Sequence, residues 1–86
     1  MGEIDKAMRF DLAMDLVNIM KMRASKQKDK VTSEAELLEL NQKISMYCYE
    51  EGVLTGRNGD ENARESLYDK VFNLYAPIVK EAYAVR

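Results

Sequence analysis

The strongest constraint on this chain is that its apolar residues recur at helical spacing along nearly all of its length. Apolar side chains three and four positions apart share one face of an α-helix, whereas a half-buried strand needs strict alternation. No useful length of the chain alternates in that way, and the residues that interrupt helices are few, with four glycines and one proline. The sequence therefore predicts an all-α protein, and its 86 residues are enough for a single domain, residues 1–86.

The first predicted helix runs over residues 3–26 and is apolar on two sides. An ordinary surface helix has one apolar stripe a little over 100° wide, facing the core. Here one stripe contains Met8, Leu12, Leu16 and Ile19, and the other contains Phe10, Ala13, Val17, Met20 and Ala24. The segment from Ser25 to Lys30 has no apolar residue and is predicted to be the first connection.

The second predicted helix covers residues 34–51. Ser33 followed by Glu36 matches a capping box, which marks a helix start. Gly52 is predicted to be the glycine just after the helix end. Cys48 falls on the apolar face, and with no histidine in the chain to activate it we expect a buried structural thiol.

The third predicted helix covers residues 61–84, with Asp60 or Asn62 as its N-cap. Pro77 falls inside it, and the apolar pattern keeps its phase across this proline. We therefore expect a kink at Pro77, or alternatively a break that produces a fourth helix. Two apolar stripes are again present, one with Leu67, Val71, Leu74, Ile78, Ala82 and Val85, the other with Tyr68, Phe72, Tyr75, Val79 and Tyr83.

These second stripes predict an antiparallel three-helix bundle that associates with another chain. Three helices of this length need only one stripe each to close a small bundle, and monomers rarely expose large apolar patches. The simplest arrangement is a homodimer, because most soluble oligomers are two-fold. The residues predicted to form the protein interface are Tyr68, Phe72, Tyr75, Val79 and Tyr83 of the third helix, with Phe10, Val17 and Met20 of the first.

A basic cluster lies near the end of the first helix, at Lys21, Arg23, Lys26, Lys28 and Lys30. Such a cluster can contact phosphates, so a nucleic-acid-associated regulator is an alternative function. The cluster has no interleaved aromatic residue and the pI of the chain is about 5.1. A structural role, in which cations complement the negative end of the helix dipole, is therefore the favoured explanation, and a nucleic-acid partner is not expected.

Composition weighs against catalysis. The chain has no histidine, which removes the commonest general base and metal ligand, and we expect no enzyme activity, cofactor or metal. A carboxylate–metal hydrolase is a second alternative, resting on Glu34, Glu36 and Glu39 and on Glu61, Glu65 and Asp69. A solvated acidic face explains the same residues.

The expected function is a small regulatory or protein-binding protein in the cytoplasm. A single cysteine cannot form an intrachain disulfide, which favours a reducing compartment. The apolar runs are too short for a membrane span or the core of a signal peptide, so no membrane partner is expected. No small-molecule substrate is indicated by any motif.

Overall fold

The structure is a computed structural model that describes residues 6–84, with side chains from Met8 to Ala82. Its helices are α1 (Lys6–Lys28), α2 (Glu34–Leu54), α3 (Glu61–Lys70), a π-helical segment (Val71–Tyr75) and α4 (Ala76–Ala84). The last three follow one another without interruption and form one continuous third helix. The described residues contain three helices and no strand, which confirms the all-α prediction. The predicted start of the first helix at Glu3 lies outside the described residues.

The three helices run up, down and up. α1 and α2 form a hairpin, and the third helix runs beside both of them. At one end of the bundle Arg9 of α1 bonds Glu65 of α3. At the other end Ile19 of α1 borders the same depression as Val79 and Ala82 of α4. The third helix is therefore parallel to α1 and antiparallel to α2, as expected for short connections between neighbours.

The core lies between the inner side of α1 and the facing sides of the other helices. Ala13 and Val17 of α1 and Val71 of the π segment have no exposed surface. Tyr47 and Tyr75 are also buried and meet edge to face, with ring centroids 5.7 Å apart. Aromatic rings favour this T-shaped geometry, in which the positive edge of one meets the negative face of the other.

The end of α2 differs from the prediction. The helix continues past Gly52 to Leu54, because Val53 and Leu54 are buried in the core. The glycine that ends it is Gly56, with a φ of 88°. The amide of Gly56 donates to the carbonyl of Val53, and that of Arg57 donates to the carbonyl of Gly52. This pair of bonds is a Schellman motif, which needs a left-handed residue that glycine adopts without strain.

Gly52 has a different role, which is to let the following loop fold back on the helix. A Cβ atom at position 52 would collide with the side-chain amide of Asn58. That amide donates a hydrogen bond of 3.2 Å to the carbonyl of Tyr49. The absence of a side chain at Gly52 therefore allows the loop to be tied to α2.

Pro77 does not break the third helix. α4 runs through it, and Ala76 keeps helical dihedral angles of −59° and −46°. The irregularity lies just before the proline, where the amide of Ala76 donates to the carbonyl of Val71, five residues back. Proline has no amide hydrogen and disturbs the regular ladder of bonds, and a π turn is one way in which a helix accommodates such a disturbance.

The N-cap of the third helix gives a direct test of the fold. The carboxylate of Asp60 accepts a 2.9 Å bond from the amide of Ala63, so Asp60 is the cap, and Asn62 is inside the helix. We expect Asp60→Ala to lower the free energy of unfolding by about 1 kcal/mol, measured by urea denaturation. Asn62→Ala is the matched control and should change it by less than about 0.5 kcal/mol. Equal losses in the two variants would contradict this assignment.

Candidate functional site

The predicted protein interface is mostly core. Tyr68, Tyr75 and Val79 of the third helix are 6%, 2% and 6% exposed, and Val17 of α1 is completely buried. These four side chains pack inside one chain, which corrects the expectation that they lie on a contact surface. The partly buried residues Phe10, Met20 and Phe72 also pack against this core. Tyr83, the remaining predicted interface residue, lies outside the described side chains.

The π segment explains this correction at two of the four positions, Tyr75 and Val79. The two apolar stripes of the third helix are defined for a regular α-helix, in which each residue is rotated by 100° from the one before it. A π turn closes its hydrogen bond over five residues instead of four, so the phase of α4 shifts relative to α3. Before the shift the core takes Leu67 and Val71 from one predicted stripe and Tyr68 from the other, and after it the core takes Tyr75 and Val79 from the second stripe alone. The side chains that face outward instead are Leu74 and Ile78, which are 50% and 36% exposed.

A buried carboxylate lies at the centre of the contact between α2 and the third helix. Glu50 is 5% exposed, and it is the one charged side chain in the buried set of the described residues. The hydroxyl of Tyr75 donates to its Oε1 at 2.7 Å, and the ammonium of Lys70 donates to its Oε2 at 2.7 Å. Both carboxylate oxygens are thus bonded, as a buried charge requires.

The π segment brings these two donors together. Lys70 and Tyr75 are five residues apart, and in a regular α-helix they would point about 140° away from each other. The five-residue π turn between them places both on the side that faces Glu50. The ammonium of Lys70 also lies 5.3 Å from the centre of the Tyr75 ring, a cation–π distance.

Burial beside Glu50 changes the pKa of two tyrosines, Tyr75 and Tyr47. The pKa of the Tyr75 hydroxyl is raised well above its ordinary value, first because burial disfavours the phenolate and second because the proton is held by Glu50. Burial also raises the pKa of Tyr47, with a smaller contribution from the charge of Glu50. Both hydroxyls are protonated at neutral pH, and that of Tyr75 donates to Glu50.

Glu50 was not among the residues singled out from the sequence. A signal was present in the spacing. Glu50 follows Tyr47 by three residues and precedes Leu54 by four, so it shares their face of the helix. For Cys48 the sequence predicted a buried thiol, but the structure shows that the residue is exposed. The third helix covers the side of α2 that carries Tyr47 and Glu50, and position 48 lies about 100° away from Tyr47.

Three ion pairs are found among the described residues, and each joins a different pair of helices. Arg9 of α1 pairs with Glu65 of α3 at 3.0 Å, and its guanidinium lies 4.2 Å from the ring centre of Tyr68. Lys21 of α1 pairs with Glu51 of α2 at 2.7 Å, and Lys70 pairs with Glu50. These pairs contribute little energy where exposed, but they fix which residues meet.

The predicted basic cluster is only partly available to an anion. The hydrogen bond to Glu51 raises the pKa of Lys21, an effect that burial partly opposes, and this residue acts as a link between α1 and α2. Lys28 is half-buried. Arg23, Lys26 and Lys30 are exposed and line one shallow depression with Gln27.

The acidic residues do not converge. Among the described residues, no three Asp, Glu or Cys side chains come together in a way that could hold a metal ion. Glu34, Glu36 and Glu39 lie exposed at the start of α2. Glu61, Glu65 and Asp69 are exposed on α3, where Glu65 pairs with Arg9.

The prominent surface feature is apolar. Eight large apolar side chains of the described residues remain exposed, and they are Met8, Leu12, Met22, Leu38, Met46, Tyr49, Leu74 and Ile78. Three of them lie on α1, whose opposite side forms the core. Monomeric proteins rarely expose contiguous apolar patches larger than a few hundred Å², and larger patches mark binding surfaces.

A groove of about 360 Å³ lies between α2 and α3, close to Glu50. Its walls are mainly apolar, with Val53 and Leu67 at the base and with Met46 and Tyr49 exposed on one side. Lys70 also lines the groove, and its ammonium is held by Glu50. Such a groove can hold an apolar side chain.

Comparisons of this chain with protein-family models, with curated proteins and with solved structures give no match. None of the helices in residues 6–84 is long and apolar enough to cross a bilayer.

The Tyr75–Glu50 bond predicts a specific dependence of stability on pH. Tyr75→Phe leaves Oε1 of Glu50 buried without this donor, so we expect a loss of about 1–3 kcal/mol at neutral pH. The pKa of Tyr75 in the folded chain is above its ordinary value of 10.0, so the unfolded chain loses this proton first as pH rises. Above pH 10 the stability advantage of the wild type over Tyr75→Phe should therefore shrink, by about 1.4 kcal/mol per pH unit.

Urea denaturation at several pH values measures both effects. Tyr49→Phe is the matched control, because Tyr49 is 57% exposed. It should alter stability by less than about 0.5 kcal/mol at neutral pH and should leave the alkaline slope unchanged. A Tyr75→Phe variant with the wild-type slope would show that Tyr75 does not titrate in this way.

Proposed function

We propose that this chain is a noncatalytic helical protein that acts by binding other protein chains, in a regulatory role, and that it functions as a homodimer. The observation that carries the proposal is the exposure of large apolar side chains on every helix after the core has been completed. α1 is the clearest case, because Met8, Leu12 and Met22 are about half exposed on a helix whose other side is fully packed.

The shape of the chain supports association. Its Cα radius of gyration is 14.2 Å, whereas a compact domain of 86 residues is expected to have about 12 Å. The Cα atoms extend over 47 × 34 × 15 Å, so the molecule is thin in one direction. A thin slab has a high ratio of surface to volume, and pairing two slabs face to face reduces the apolar surface in contact with water.

The polar centre supports a structural rather than a catalytic role for its residues. Each oxygen of Glu50 is bonded, one by Tyr75 and the other by Lys70, which ties the carboxylate to the packing of the third helix against α2. The exposed free thiol of Cys48, the single cysteine in the chain, supports a reducing compartment such as the cytoplasm.

Sedimentation velocity over a range of protein concentrations tests the homodimer. We expect a species with twice the chain mass of 9.9 kDa, which dissociates on dilution. The reason is that burial of exposed apolar surface, at about 25 cal/mol per Å², favours the dimer as concentration rises. A species of 9.9 kDa at every concentration up to about 100 μM, a value well above typical dissociation constants of stable dimers, would contradict the proposal.

A second candidate function is binding to a nucleic acid. The observation that favours it is that Arg23, Lys26 and Lys30 line one depression from which carboxylates are absent. Binding of a short DNA duplex, followed by fluorescence anisotropy, should then weaken steeply with salt, since each phosphate contact releases a counterion. The double variant Arg23→Glu, Lys30→Glu should abolish it. Absence of wild-type binding at low salt would exclude this function.

A further inference from the structure

The side of α1 that faces away from the core carries a regular seam. Its positions are separated alternately by four and three residues, and we call them the outer seam: Met8, Leu12, Asp15, Ile19, Met22 and Lys26. This alternation is that of the a and d positions of a coiled coil, which lie on one line between two packed helices. The buried side of α1 shows the same alternation, at Phe10, Ala13, Val17, Met20 and Ala24. α1 is thus patterned to pack on two opposite sides.

Most of the outer seam is exposed within one chain, and Ile19 borders the depression beside Val79 and Ala82 of α4. Met8, Leu12 and Met22 are 55%, 45% and 50% exposed. Asp15 and Lys26 are exposed as well, and Ile19 is half-buried. Four of the six seam positions are apolar, a composition typical of a helix–helix contact surface.

We propose that the outer seam of α1 packs against the outer seam of a second copy, with the two α1 helices antiparallel. This inference rests on the proposed homodimer and names its surface. The orientation follows from the charges. In a parallel two-fold pair each seam position meets itself, so that Asp15 would face Asp15 and Lys26 would face Lys26. Like charges in direct opposition are unfavourable, and the parallel arrangement is disfavoured.

An antiparallel pair places each a position opposite a d position of the other helix. One register puts Asp15 opposite Lys26 of the second copy and Ile19 opposite Met22 of the second copy, and the two-fold axis repeats both contacts. The seams then overlap from Asp15 to Lys26, and Met8 and Leu12 lie beyond the overlap at each end. Within the described residues neither Asp15 nor Lys26 takes part in an ion pair of its own chain. Polar residues at seam positions fix the register of a helix pair. The opposite charges of Asp15 and Lys26 select the register in which these two residues meet.

The apolar part of the contact is tested with Met22→Asp, which puts a charge opposite Ile19 of the second copy. We expect the dissociation constant of the dimer, from sedimentation equilibrium of the full chain, to rise by at least about tenfold. Leu38→Asp is the control, since Leu38 is 59% exposed but lies on α2, and it should leave the constant within about twofold. Circular dichroism of both variants checks that the chains remain folded.

Exchange of the charges tests the orientation and register. Asp15→Lys and Lys26→Asp should each weaken the dimer by about tenfold, because each creates two like-charge contacts. The double variant restores both pairs and keeps the net charge, so it should return to within about threefold of the wild type. Asp15→Lys also relieves repulsion with Asp11 four residues earlier in α1, so its effect on the dimer does not come from a weakened helix.

The outcomes separate the two proposals. A wild-type chain that is monomeric at every concentration contradicts the proposed homodimer and this inference with it. A wild-type dimer that is indifferent to Met22→Asp overturns only the inference, because the contact then lies on another surface. A dimer that Met22→Asp weakens but that the double charge exchange fails to restore overturns the antiparallel register.

Discussion

The hydrogen bonds to Glu50 determine how the third helix lies against the α1–α2 hairpin. A carboxylate that is withdrawn from water is costly unless its oxygens are bonded, and here Tyr75 and Lys70 each bond one of them. Both donors reach Glu50 only if the third helix has one particular position along its axis and one particular rotation about that axis, relative to α2. Apolar packing tolerates small shifts, because it has no direction. The charged centre therefore gives the bundle a defined geometry that its apolar core alone does not require.

The same geometry decides which apolar residues remain for other contacts. Once Tyr75 and Val79 face inward, Leu74 and Ile78 are left at the surface. α1 is similarly divided, with Ala13 and Val17 in the core and Met8 and Leu12 exposed. The exposed apolar surface is thus what remains after each helix has used one face for the core.

Much of the architecture was predictable from the sequence, because caps and apolar spacing act locally. Asp60, one of two caps that the sequence allowed, begins the third helix, and Ser33 caps α2 by accepting a bond from the amide of Glu36. The burial of Glu50 was not predicted, because a carboxylate enters the core only when another helix supplies its donors. Gly52 was taken for a helix end, because residue type alone does not show that Val53 and Leu54 are buried. The π turn depends on the packing of the whole helix.

The π segment also means that the last part of the third helix possesses two potential inner faces. One contains Tyr75 at the end of the π segment and Val79 of α4, the other contains Leu74 and Ile78, and both are apolar enough to line a core. The extra residue in Val71–Tyr75 chooses between them, because loss of one residue there would rotate everything after it by about 100°. The composition of the core is therefore sensitive to chain length at this point, whereas most single-residue changes in a loop leave a core as it was. In an evolutionary sense, one deletion could exchange the inside and the outside of α4 without any substitution in α4 itself.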